Sequence, residues 1–144
     1  MKFKRFFTNE KTDVYKDIEF KITSSEIKNP DGTVVFSAPK IEVPSNYSQV
    51  AADVIAQKYF RKAGVPIYIE KIQEKDVPSW LWGSKPDEKK LQNVEKGKQF
   101  VSETSAKQVF DRLAGTWTYW GWKGNYFSTE DDAKLYFDEM RYML

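Results

Sequence analysis

ETSAKQVFDRLAGTWTYWGWKGNYF, Glu103 to Phe127, opens with the chemistry of a helix start. Ser105 followed three residues later by Gln108 fits a capping box, in which each side chain satisfies the other residue's free backbone donor. At about 100° per residue, Ala106, Val109, Phe110, Leu113, Trp117, Trp120 and Gly124 fall on one stripe, which predicts a helix laid against a core. Tyr119 and Trp122 fall on the other side. A helix with indole and phenol groups on both faces needs two contacts, because large apolar patches are seldom left to water. The spacing therefore predicts a sandwiched helix.

Working outward, a second helix begins directly downstream. Ser128 with Asp131 gives an N-cap and an acid in the first turn, and Phe127 before the cap can staple onto the next turn. Glu130, Asp131 and Asp132 read as acids that complement the helix dipole rather than as a metal cluster. Ala133, Tyr136, Phe137, Met140 and Leu144 form its buried stripe, with Leu135 and Tyr142 off it. The sequence then stops at Tyr142-Met143-Leu144 with no glycine, cap or polar tail, an ending that reads as cut.

Upstream, the pattern is extended. Phe3, Phe6 and Phe7 among Lys2, Lys4 and Arg5 suit a short edge strand or a docked tail. Asp17 to Ile27 alternates Ile18, Phe20 and Ile22 with charged and polar residues, the period of a half-buried strand. Asn29-Pro30-Asp31-Gly32 supplies a turn, with Thr33 to Ser37 as the returning strand. No calcium-loop spacing accompanies Asp31-Gly32. Pro39 to Pro44 is a connector with a short strand at Ile41 to Val43. A helix is predicted from Ser45 or Asn46 to Ala63, stopped by Gly64 and Pro66. Ile67 to Ile72 reads as a strand that could join the hairpin. Trp80 and Trp82 pin an irregular loop, and Ser84 to Gln99, rich in charge, reads as a mobile loop or solvated helical turn.

The expected fold class is α+β: a small antiparallel sheet in the N-terminal half with one covering helix, then a C-terminal helical hairpin. One module spans 1–144, β-rich over 1–83, a charged linker over 84–101, helical over 102–144. Gly115, Gly121 and Gly124 lack the glycine-lysine pair of a phosphate loop and read as close-packing or helix-ending positions.

Composition excludes several functions. The 144 residues contain no cysteine and no histidine, so disulfides, Cys/His zinc sites, imidazole-based triads and thiol radical chemistry are all absent. No apolar run approaches the roughly 20 residues of a membrane span. With no apolar signal core at the N-terminus, a cytoplasmic location is expected. A net charge of +2 from 23 basic and 21 acidic residues is too weak a bias to argue for nucleic acid by itself, and no nucleic-acid partner is expected.

The opening stretch, together with EDDAKLYFDEMRYML, resembles the N-terminal region of adenosylcobalamin-dependent (class II) ribonucleotide reductases. IKNPDGTVVF, IEVPSNYSQVAADVIAQKYFRKAGVP and VPSWLW fit the same family in the same order, so the resemblance covers nearly the whole chain. It implies a module that packs on a ten-stranded catalytic barrel, which carries the cysteine radical, the cobalamin and most substrate contacts. With no cysteine here, no catalytic residue carries over; no cofactor is expected on this segment, and adenosylcobalamin is implied for the full enzyme. The implied partner is the catalytic remainder, with Tyr119, Trp122, Leu135 and Tyr142 as the expected docking surface.

A competing reading is a free-standing nucleotide or single-stranded nucleic-acid module. It would use Lys58, Arg61 and Lys62 as an anion site and Trp80 and Trp82 as a stacking platform. The same cations near a helix end also have an ordinary dipole-complementing role.

Overall fold

The computed structural model describes residues 2 and 4–144, so the expected role of Phe3 lies outside the described residues. Strands β1 (Phe20–Lys28) and β2 (Val34–Pro44) form an antiparallel hairpin on the expected turn. The Gly32 amide donates to the Asn29 carbonyl at 2.9 Å, and Gly32 takes the positive φ (86°) that closes the turn. β2 is one strand rather than a short strand plus connector. Its register slips between Thr23↔Ile41 and Ser25↔Ala38, and Pro39, which cannot donate to a ladder, sits in the stretch that absorbs the extra residue.

The hairpin's buried face is the opposite of the one its apolar alternation suggests. Ile41 and Val43 of β2 are buried and pair with Thr23 and Lys21, so the core face of β1 carries Lys21, Thr23 and Ser25, and Ser25 is itself buried. Ile22 faces out, 59% exposed. Phe20, on Ile22's side, is covered instead by Tyr15 edge-on and by the Lys107 ammonium 4.1 Å from its ring centroid.

Helix α1 (Gln49–Val54) is capped by Ser48, passes into a π-helical turn over Ile55–Tyr59, and ends at Phe60, well before the predicted Ala63. The Phe60 amide reaches back five residues to the Ile55 carbonyl at 3.0 Å, and Phe60 itself is extended with its ring buried. That wide turn aims Ile55, Ala56 and Phe60 into one core, which a regular helix through Ala63 would not do.

The segment after Gly64 does not join the hairpin. Strand β3 (Val65–Pro66) and strand β4 (Ile69–Lys71) follow, then a 3₁₀ turn at Ser79–Leu81 and strand β5 (Ser84–Pro86). A one-turn helix α2 (Glu88–Leu91) and strand β6 (Phe100–Val101) complete this region. β4 pairs with β5 and β3 with β6, both antiparallel, so the described residues form three two-stranded ribbons rather than one sheet. The charged stretch 84–101 is therefore built into the ribbons instead of forming a linker. Asp87 caps α2, and Leu91 is its buried anchor.

Helices α3 (Ala106–Lys123) and α4 (Glu130–Met143) form the expected hairpin, and the Ser105/Gln108 capping box is present on α3. The cap of α4 is Thr129, one residue beyond Ser128, its hydroxyl accepting from the Asp132 amide. The core joins Ile41 and Val43 with Ala52, Ile55, Ala56 and Phe60 and with Ala106, Val109 and Phe110. Full burial of each large side chain there stabilises by about 1.5–3 kcal/mol. The buried line of α3 continues through Ala114, Thr118 and Gly121 rather than through Trp117, Trp120 and Gly124. Small residues let the neighbouring chain approach closely: a Cβ on Gly121 would lie 2.6 Å from the Phe127 ring. Trp120 is displaced to the outside, 62% exposed.

Candidate docking interface

A groove of ≈ 720 Å³ runs between α3, the chain from Lys71 to Ser84, and the end of α4. Its walls are held by side chains that reach from helix to loop. The Tyr119 hydroxyl donates to the Glu74 carboxylate at 2.9 Å, and the Lys123 ammonium meets the same carboxylate at 2.7 Å. Lys123 and then Tyr119 hold the Glu74 carboxyl below its ordinary range, while Glu74 raises the Tyr119 phenol. Trp122 Nε1–H donates to the Asp76 carbonyl at 2.8 Å, where Asp76 has a positive φ of 61°. Across the groove, Trp80 Nε1–H donates to Glu130 at 2.9 Å and its ring lies 5.8 Å from that of Phe137.

Arg141 closes the far end. Its guanidinium lies over the Phe137 and Tyr15 rings and meets Asp138 at 2.9 Å and Asp111 at 3.3 Å. Burial opposes its charge, but Asp138 and Asp111 outweigh burial and raise its pKa. Partial burial and then the bond it donates to Asp111 push the Tyr15 phenol up, against the opposing charge of Arg141.

Two buried carboxylates, absent from the sequence expectations, hold the module's edges. Glu103 exposes none of its side chain, yet it receives Arg61 Nε at 2.8 Å, the Arg61 amide at 2.8 Å and Arg112 Nη2 at 3.0 Å. Glu139 accepts the Phe6, Phe7 and Thr8 amides at 3.0–3.2 Å, and the Thr8 hydroxyl at 2.6 Å. Burial alone would raise both carboxyls. The donors win, Arg112 first for Glu103 and the Thr8 hydroxyl first for Glu139, and both stay below the ordinary carboxylate range. The sequence signal was only an acid two residues before the Ser105 cap for Glu103 and an acid within α4 for Glu139.

The expected docking residues are divided by this geometry. Tyr119 and Trp122 are half-buried under the module's own 74–76 loop, not on a free face, so the second contact predicted for this helix is made in part within the chain. Leu135 is half-buried on α4. Tyr142 is exposed at its edge while stacking on Phe7, with centroids 5.0 Å apart.

The anion-site candidates are not brought together. Arg61 is taken by Glu103, Lys62 lies over the Phe36 ring at 4.8 Å, and Lys58 is in the π-helical turn, so Arg61 and Lys62 lie beyond the helix end. Trp82 donates to the Val77 carbonyl at 2.8 Å, which with the Trp80 contacts makes the two indoles loop anchors, as the pinned-loop reading expects. Among the described residues there is no cluster of three or more acidic side chains able to hold a metal, and no helix is long and apolar enough to cross a membrane.

Comparison with known proteins fits this frame. A family model described as class II vitamin B12-dependent ribonucleotide reductase matches residues 21–144. The vitamin B12-dependent ribonucleotide reductase of Agrobacterium fabrum (strain C58 / ATCC 33970) is 58% identical over the whole chain, and that of Bradyrhizobium diazoefficiens is 55% identical over the same span. A third, from Rhodopirellula baltica, is 25% identical over 85% of the chain. The chain spans 11%, 12% and 9% of these relatives' lengths. Nearly all of its residues match a family model and its whole length aligns with two relatives above 50% identity, so the chain belongs to the class II vitamin B12-dependent ribonucleotide reductase family, corresponding to its N-terminal region.

Proposed function

We propose that this segment is a non-catalytic N-terminal module that packs on the catalytic remainder of an adenosylcobalamin-dependent ribonucleotide reductase. The whole enzyme would reduce ribonucleotides to 2'-deoxyribonucleotides for DNA synthesis, in the cytoplasm. The observation that carries this reading is the coverage: the full chain aligns, yet it accounts for only 11–12% of its relatives. The radical step in the family needs a cysteine, and this sequence has none. On this reading cofactor and chemistry belong to the remainder, and this segment contributes surface. Tyr119, Trp122, Leu135 and Tyr142 remain candidates for that surface.

Co-purification with a separately expressed catalytic remainder, followed by a cobalamin-dependent reduction assay, tests this. A stable complex whose activity requires the 144-residue chain is expected. A folded chain that neither associates nor alters activity overturns the proposal.

A further inference from the structure

Residues 65–72 carry two short strands, β3 and β4, separated by a bend at Ile67 and Tyr68, and each is paired with a different partner. In the first half, the Ile67 amide donates to the Gln99 carbonyl at 3.1 Å, so the odd-numbered residues face β6. In the second half, the Ile72 amide donates to Gly83 at 2.8 Å, and the Asp87 amide donates to the Tyr68 carbonyl at 3.1 Å. Even-numbered residues there face β5, with Glu70↔Lys85 as the hydrogen-bonded pair between them. The N–H and C=O groups of Ile69 and Lys71 consequently point away from β5. Toward β4 the pairing with the β6 segment ends at the Ile67–Gln99 bond, and among the described residues no backbone group meets the outer edge of β4 at Ile69 or Lys71.

The open edge is apolar. All six residues Ile67 to Ile72 are exposed, with Ile69 at 54%. Its charges are already engaged by the chain's own neighbours: the Lys71 ammonium donates to the Trp82 carbonyl at 3.0 Å, and Glu70 pairs with Lys85 at 2.9 Å. The opposite ribbon edge carries Pro86, which has no amide to offer. Folded proteins normally blunt such an edge or cover it, and a two-stranded ribbon is marginal by itself.

We propose that the outer edge of β4 accepts an added β-strand from the catalytic remainder of the reductase, pairing with the free backbone groups of Ile69 and Lys71. This rests on the docking function proposed above and names its contact. The occupant follows from length: nearly nine-tenths of the relatives' polypeptide lies outside this segment. The recognised chemistry is an extended stretch with alternating apolar side chains, which main-chain bonds hold and the isoleucines select.

The test is residue-resolved amide hydrogen exchange of the 144-residue chain, alone and after addition of the separately expressed remainder, with Ile69→Pro as the variant. Proline there removes only an outward amide and leaves the even-numbered bonds to β5 in place. Fast exchange of Ile69 and Lys71 alone, slowing at least about tenfold in the complex, is expected, as is at least about tenfold weaker association of the folded variant. A complex in which both amides stay fast overturns the strand addition but spares the docking function. No complex at all overturns both. Protection that instead depends on the concentration of the chain alone assigns the edge to a second copy and also overturns the proposal.

Discussion

Arg112 lies across the buried carboxylate of Glu103 with two parallel bonds, Nε to Oε1 at 3.1 Å and Nη2 to Oε2 at 3.0 Å. The same guanidinium donates to the Tyr59 carbonyl at 2.9 Å, so it ties the start of α3 to the end of the π-helical turn. Glu103→Gln keeps the shape but leaves two arginines facing a neutral amide. A loss of about 2–3 kcal/mol is expected, below the upper range for broken buried pairs because Arg61 is half-exposed. A urea midpoint unchanged from wild type would refute it.

Acid should act through the same carboxylates. Glu103 and Glu139 have folded-state pKa values lowered below their unfolded ones. Their contribution is therefore fully present above the ordinary glutamate value of about 4.3 and is lost as pH falls through the folded values. Unfolding midpoints measured from pH 7 downward should decline below about pH 4.5, less steeply in a Glu103→Gln, Glu139→Gln double variant.

Glu139 fastens the N-terminal residues to α4 through three backbone amides. Glu139→Ala leaves those amides without their acceptor, so the Phe6, Phe7 and Thr8 amides should exchange faster by at least about tenfold, while α3 amides are unaffected. Equal protection in both proteins would show that other contacts hold the segment.

Two glycines of α3 make opposite predictions. Gly121→Ala places a methyl group 2.6 Å from the Phe127 ring, and overpacking of this kind costs about 1–3 kcal/mol. At Gly115 the nearest atom is the Phe137 ring at 3.8 Å, so Gly115→Ala gains helix propensity, up to about 1 kcal/mol. Thermal midpoints moving the same way in both would contradict the packing described.

Trp122→Ala removes the indole that holds the Asp76 carbonyl. The 74–76 loop should loosen with about 1–2 kcal/mol of lost stability, and association with the catalytic remainder should weaken while the chain stays folded. Calorimetric titration against that remainder measures the second effect, and unaltered affinity would remove Trp122 from the docking surface.

Local chemistry was legible wherever a residue acts on its own neighbourhood. The Ser105/Gln108 box, the Asn29–Gly32 turn, the cap region of α4 and the two C-terminal helices follow from propensity, capping and backbone freedom within a few residues. The resemblance carried by the aromatic helix was equally plain in the sequence, as was the absence of any cysteine for radical chemistry.

Tertiary structure decided which faces are used. Ile22 is more apolar than Thr23, yet Thr23 faces the core because it shares a face with Ile41 and Val43, and the strand register leaves Ile22 no choice. Trp120 lost its predicted place to the small-residue line of Ala114, Thr118 and Gly121. The placing of Glu103, Glu139 and the open edge of β4 depends on partners between 9 and 133 residues away. The sequence by itself determined the helices, the turn, the fold class and the family; only folding decided the buried faces, the carboxylate clasps and the free strand edge, because these depend on contacts between distant segments that local periodicity does not encode.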